Sequence, residues 1–240
     1  MDRVNMNIQY YELIDEALNV SVDGTTYYKN FPINEYEYNL IPGSMPVPEL
    51  FIDLINQINP TIIIEIGSYW GYSAICMGNE LKKHKNDFRI ICIDTWLGNE
   101  NFYIWGKEKY TTPSRDQKQL KNGYPTTYYQ FVRNIIQNDL QNHIIPIPLP
   151  SKNAAVVLKE KIKSIIEIKA DLIYIDGSHE EMDVYYDCKN YWDLLKINGI
   201  MFGDDWTWNT VKSGVSTFAE ENKLQIQLHP NGVHWFIRKI

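Results

Sequence analysis

Two groups of side chains in this 240-residue sequence have the types and spacing to do chemistry. The first is acidic. Asp176 is followed three residues later by His179, and Asp204-Asp205 stand at the end of the next apolar run. Three carboxylates brought together repel one another unless a cation neutralises them. Oxygen ligands with open positions suit Mg2+, which keeps waters and binds through a few carboxylates plus substrate. Asp176, Asp204 and Asp205 are therefore the candidate metal ligands. Any one of them alone could simply cap a helix; as a trio they favour the metal. His179 borders that position, and an imidazole titrating near neutrality is matched to take a proton from a metal-activated hydroxyl. Its register against Asp176 sets it apart from an ordinary loop histidine, so His179 and Asp176 are the candidate catalytic residues.

The second group is the stretch EIGSYWGYS, from Glu65 to Ser73, directly after the apolar run TIII. Gly67 and Gly71 let a backbone turn sharply and approach a ligand, and a helix start beyond them offers unpaired N–H groups to an anion. The spacing is Gly-x-x-x-Gly rather than the GxGxxG of dinucleotide folds, and the large Tyr-Trp pair leaves poor room for a pyrophosphate. Glu65 can accept from an ammonium and Ser73 can donate to a carboxylate, which together suit an amino-acid head group. Asp94, ending the next apolar run, can accept from the hydroxyls of a ribose. An amino acid joined to a nucleoside is S-adenosylmethionine. Each acid taken singly could be a strand-end carboxylate facing water; their joint placement argues otherwise.

These residues need a scaffold that brings them to one edge. A helical apolar face over 50–58 precedes a buried strand over 61–67, and strands follow at 88–94, 143–148, 171–176 and 200–203. Helical patterns at 128–140, 153–166, 181–195 and 211–222 alternate with them. Two last strands, 224–228 and 233–237, flank an Asn231-Gly232 turn. Repeated strand–helix units predict an α/β fold, a mostly parallel sheet with helices on both faces and a closing antiparallel hairpin. Residues 1–45 read as an irregular, aromatic-rich extension, and 46–240 as one domain. The segment 96–127 has no persuasive periodicity and is far longer than the usual connection of about 4–6 residues, which predicts an ordered lid or a subunit contact.

The bulk numbers narrow the function. A formal charge of −7 argues against duplex nucleic acid, which calls for a basic stripe. The three cysteines form no CxxC pair, which excludes a thiolate zinc knuckle and favours a reducing compartment. No secretion signal pattern opens the sequence, and no apolar run reaches the ~20 residues needed to span a bilayer. The expectation is a cytoplasmic protein with neither a nucleic-acid nor a membrane partner.

The segment from Glu65 to Ser73 resembles motif I of the class I methyltransferases, and in particular its form in catechol O-methyltransferase. DTWLG at 94–98, IIPIPLPS at 144–151, the run 171–206 and the terminal hairpin resemble the sugar O-methyltransferases related to macrocin O-methyltransferase. The likeness runs from about residue 43 to 240. It implies a Rossmann-like fold with a seven-stranded sheet. It also implies that Glu65 binds the methionine amino group, Ser73 the carboxylate, that Tyr69 lies near the sulfonium, and that Ser151 meets the adenine. Trp96 is expected to pack against the cofactor. The D-x-x-H and G-D-D pattern is that of the macrolide-sugar enzymes, where the base position carries histidine; catechol enzymes carry lysine there and Asp-Asn in place of Asp204-Asp205.

The expected activity is Mg2+-dependent methyl transfer from S-adenosylmethionine to a hydroxyl of a small-molecule or glycan acceptor with vicinal hydroxyls. A homo-oligomer is expected from the same resemblance. A catechol-like acceptor and a non-catalytic cofactor-binding module are the alternatives; an NAD-dependent oxidoreductase lacks its glycine fingerprint.

Overall fold

The structure, a computed structural model, describes residues 3–18, 27–36, 49–98, 120–163 and 166–240, apart from the side chains of 3–9, 120 and 161. Four strands carry the site. β1 (Ile62–Ile66), β2 (Arg89–Asp94) and β6 (Ala170–Ile175) are nearly continuous apolar runs, and β7 (Leu195–Gly203) ends in one. Such runs suit strands covered on both faces. With β5 (Ile144–Pro148) they pair in parallel, and the sheet order is β5-β2-β1-β6-β7-β9-β8. The hairpin strands β8 (Gln227–Leu228) and β9 (Trp235–Arg238) close the sheet antiparallel to β7. A separate short hairpin joins β3 (Leu120–Lys121) to β4 (Tyr124–Pro125).

Helices cover both faces. On one lie α2 (Glu49–Ile58), α3 (Tyr72–Lys82) and α4 (Thr127–Gln137), packed through Phe51, Leu54, Met77, Phe131 and Ile135. On the other lie α5 (Ser151–Val156, continued by a π-helical turn, Val157–Lys161), α6 (Glu181–Trp192) and α7 (Asn209–Glu221). The chain thus reverses direction across the sheet between β1 and β6. In open α/β sheets, ligands bind beyond the carboxyl ends of the strands at such a reversal.

One expectation fails. Residues Arg3–Leu18 are not irregular but form a helix, α1, whose Tyr11, Ile14 and Leu18 join the second core. Their spacing of three and four residues is helical, yet the intervening Glu12, Asp15 and Glu16 weaken the periodic signal. Asp15 holds the Arg89 guanidinium at 2.7 and 2.5 Å, and the Tyr11 hydroxyl donates to the Asp87 carbonyl at 3.0 Å. Smaller differences are boundaries: β7 begins at Leu195, so α6 stops at Trp192, and β8 is shortened to Gln227–Leu228. Most of the 96–127 segment, with its expected lid, lies outside the described residues. Among the described residues, no helix is long and apolar enough to cross a membrane.

Candidate active site

Strand register fixes the site. Ile66 pairs with Ile93 and with Ile175, and Ile175 pairs with Gly203. One residue further along, Gly67, Asp94, Asp176 and Asp204 therefore stand in a row across four parallel strands, with neighbouring strands about 4.8 Å apart. Residues far apart in sequence become neighbours because the strands run the same way.

The Glu65–Ser73 stretch forms the turn from β1 to α3. Gly67 and Gly71 have left-handed φ of +84° and +86°. A side chain at Gly67 would put its Cβ 2.0 Å from the Asp176 carbonyl oxygen, so only glycine lets this loop lie on the backbone of the acidic group. Tyr69 and Trp96 also have positive φ, +43° and +52°. Bulky residues rarely adopt that conformation, and it concentrates at functional sites.

Hydrogen bonds hold these strained turns together. Asp94 Oδ2 accepts from the main-chain N–H of Ser68 at 3.0 Å and of Tyr69 at 2.8 Å, and Oδ1 accepts from that of Trp96 at 2.7 Å. The Trp96 indole N–H donates to the Tyr69 carbonyl at 2.6 Å. A carboxylate has about four lone-pair positions, so roughly one is left on Asp94 for a ligand. Asp94 thus builds the loop as well as facing its mouth. Glu65 is fully buried, and its carboxyl accepts from the hydroxyls of Ser73 and, at 2.7 Å, of Ser68. Burial pushes its pKa up while these hydroxyls pull it down. Ser151 starts α5 and donates to Asp187, a buried acid of α6. The expected cofactor residues therefore fall into a Glu65–Ser73 pair, an Asp94–Tyr69–Trp96 turn and a Ser151–Asp187 pair.

Across the row, Asp176, His179 and Asp205 each offer a ligand atom, all within 4.8 Å of one another. His179 Nε2 lies 2.6 Å from Asp205 Oδ2 but is out of line for a hydrogen bond, which leaves this buried nitrogen in need of another partner. The Asp205 contact nonetheless raises the His179 pKa. Burial, then the charges of Asp204 and Asp205, push the Asp176 carboxyl well above the usual range. Crowded acids with an unaligned imidazole fit a cation. Asp204 sits beside the group rather than in it: its Oδ1 accepts the Asp205 N–H at 2.7 Å and lies 3.6 Å from His234 Nε2. A cavity of about 10 Å3, enough for about one water, lies among Asp176, His179, Asp204, Asp205 and Trp235.

Comparison with known proteins bears on the same residues. The family described as "Methyltransferase domain" matches residues 64–206, more than half of the chain and all of the row. The chain belongs to the methyltransferase-domain family. The class I fold expected from motif I is borne out by solved structures. The O-methyltransferase from Bacillus cereus in complex with SAH is 14% identical, with 82% of each chain covered and a TM-score of 0.52. CalS11, a TDP-rhamnose 3'-O-methyltransferase of calicheamicin biosynthesis, is 15% identical, covering 79% of this chain and 77% of that one, with a TM-score of 0.54. The O-methyltransferase TomG from Streptomyces achromogenes in complex with SAM is 11% identical, covering 100% of both chains, with a TM-score of 0.55. A curated relative, "Uncharacterized protein y4gI" of Sinorhizobium fredii (strain NBRC 101917 / NGR234), is 22% identical over 152 residues, 63% of this chain. This chain spans 14% of that relative's length.

In this methyltransferase-family chain, three site neighbours escaped the sequence reading. His234 stands opposite Asp204 because β9 pairs with β7 at Trp235 and Gly203. Burial lowers the pKa of His234, which keeps it neutral beside that acid. Trp235 has a buried indole N–H without a partner and lines the small cavity. Only the hairpin register, read forward from Asn231-Gly232, could have placed these two. Trp208 packs on His179, with ring centroids 4.7 Å apart. It lies three residues beyond Asp205, close enough to have been suspected.

Proposed function

We propose that the protein is an O-methyltransferase that moves the methyl group of S-adenosylmethionine to a hydroxyl of a sugar or glycan. The observation that carries this reading is the row Gly67, Asp94, Asp176, Asp204, which sets a cofactor loop against an acidic group with a histidine at its rim. Glu65 would receive the methionine ammonium, which offsets the cost of its burial. Ser73 would meet the carboxylate, Tyr69 the sulfonium region, Asp94 a ribose hydroxyl and Ser151 the adenine, with Trp96 packed beneath.

Asp176 and Asp205, with Asp204 beside them, would hold Mg2+. When bound, the ion screens these carboxylates and lowers the pKa of a coordinated hydroxyl. His179 would take the hydroxyl proton, and Asp205 beside Nε2 would stabilise the imidazolium that results. The acceptor oxygen forms the new bond to the methyl carbon, and the S–CH3 bond breaks with its electron pair going to sulfur. Little covalent work falls to the protein, so positioning carries much of the rate.

The sugar is favoured over a catechol by the histidine at the base position and by Asp205 where catechol enzymes carry Asn. That CalS11 acts on TDP-rhamnose supports the same choice. A cytoplasmic homo-oligomer completes the proposal; three buried free cysteines agree with a reducing compartment. The test is transfer of labelled methyl to TDP-rhamnose or to catechol, with Mg2+ and with EDTA. Transfer to the sugar that stops in EDTA and returns with Mg2+ is expected. Full activity in EDTA removes the metal, and activity on catechol alone replaces the acceptor.

A further inference from the structure

Trp208, beside a polar site, is 52% exposed to solvent. Its position is not that of a loose surface residue. Its main-chain N–H donates to the Asp205 carbonyl at 2.8 Å, closing a turn that starts at the positive φ of Asp205, +56°. The Trp206 N–H donates to Val233 at 2.8 Å and the Lys212 N–H to the Trp208 carbonyl at 2.9 Å, so both sides of the turn are pinned. One face of the indole covers the His179 ring at 4.7 Å between centroids and a 30° tilt. The same imidazole meets Asp205 at 2.6 Å. Trp208 therefore stands over the two groups where the acceptor hydroxyl has to arrive.

It does not stand alone. The loops after β2 and β1 expose Leu97 and Tyr69, the first turn of α6 beyond β6 exposes Met182, and the loop after β7 exposes Trp208. In sheet order these four run along the edge that carries the acids. The site thus has a charged floor and an apolar rim. A pyranose matches that pattern: one ring face presents C–H groups, while vicinal hydroxyls project from the edge. An indole offers such a face a broad, weakly polar surface at small entropic cost.

We propose that Trp208 is the acceptor platform: a pyranoside lays its apolar face on the indole face that His179 leaves free, and two adjacent hydroxyls reach past the indole edge toward His179 and Asp205. This deepens the sugar O-methyltransferase reading and rests on it. Selectivity then comes from the ring face that the sugar can lay on the indole, and a sugar with an axial hydroxyl on that face is excluded.

The experiment uses the full chain with S-adenosylhomocysteine and Mg2+, and methyl β-L-rhamnopyranoside, whose H1/H3/H5 face carries no axial oxygen, as the probe. Proton NMR of the probe should show upfield ring-current shifts confined to the hydrogens of one face. Trp208→Ala should abolish them and raise the KM for TDP-rhamnose at least tenfold, leaving kcat within about threefold and S-adenosylhomocysteine affinity unchanged. Trp208→Phe should restore most of the lost affinity. Unchanged KM and shifts in Trp208→Ala overturn the platform while leaving the methyltransferase reading intact. Probe shifts absent from the unsubstituted protein overturn the pyranoside as occupant. Loss of S-adenosylhomocysteine binding in Trp208→Ala shows a structural role instead. Absence of any methyl transfer by the unsubstituted protein, with the face-specific shifts present, rejects the reaction and keeps the binding surface.

Discussion

Burial pushes the Asp187 carboxyl up to about 7, with the Ser151 hydroxyl as its partner. A folded-state pKa above the unfolded value of about 3.9 means that the folded protein holds the proton more tightly. Stability from this group is then full below pH 4 and is lost as pH rises toward 7. The three-unit gap sets an upper bound of ~4 kcal/mol on the loss. Asparagine keeps the shape and the hydrogen bond without the charge. Asp187→Asn should therefore melt several degrees above the parent at pH 8 and no higher at pH 4. Melting curves across that range decide it; parallel curves would mean that Asp187 is ionised when folded. Ser151 follows β5 and the buried Tyr191 hydroxyl donates to its carbonyl at 2.8 Å, so the pair also fixes one wall of the proposed adenine site.

Two glycines with left-handed backbone show how an element imposes its chemistry. Gly67 and Gly123 have φ of +84° and +80°, but only Gly67 faces other atoms, with the Asp176 carbonyl oxygen 2.0 Å from where a Cβ would sit. Gly123, in the β3–β4 turn, faces open space. Alanine at Gly123 should cost about 1 kcal/mol from backbone strain alone, and alanine at Gly67 well over 3 kcal/mol, because the β1 loop must lift from β6. Urea unfolding of the two variants compares them, and equal losses would mean that the loop yields freely. A third element tests the N-terminal helix. Asp15→Ala leaves the largely buried Arg89 guanidinium without its carboxylate and should cost about 1.5–3 kcal/mol, with faster amide exchange confined mainly to α1. The same elements show what a sequence conveys. Strands β1, β2 and β6 were legible because burial on both faces writes them as nearly continuous, isoleucine-rich apolar runs. Helix α1 was not: among its described residues Tyr11, Ile14 and Leu18 are buried, but Glu12, Asp15 and Glu16 stand between them and break the apolar pattern.

At the scale of the whole molecule, the site exists because parallel strands end together. Motif spacing singles out Asp176, His179, Asp204 and Asp205 but cannot say which of them meet: strand register and turn geometry, not residue type, set Asp204 toward His234 and bring His179 to Asp205. Hairpin pairing, a contact between distant segments, likewise hid His234 and Trp235. The crowding has a thermodynamic consequence. Because burial and the charges of Asp204 and Asp205 raise the Asp176 pKa, the cation-free protein should lose stability as pH rises above the ordinary carboxylate range. Asp187 contributes a slope of the same sign, so the informative quantity is the difference between melting in Mg2+ and in EDTA. That difference should grow from pH 5 to pH 8, since a proton competes with the metal for Asp176 at the acid end. At a hundred times the dissociation constant it should reach about 2.7 kcal/mol, or roughly 5–10 °C for a chain of this size. Asp176→Asn should melt above the parent in EDTA at pH 8, having shed a repelled charge, and should respond little to Mg2+. A variant that gains as much from Mg2+ as the parent does would locate the cation elsewhere, and would remove the metal-activated hydroxyl from the proposed reach of His179.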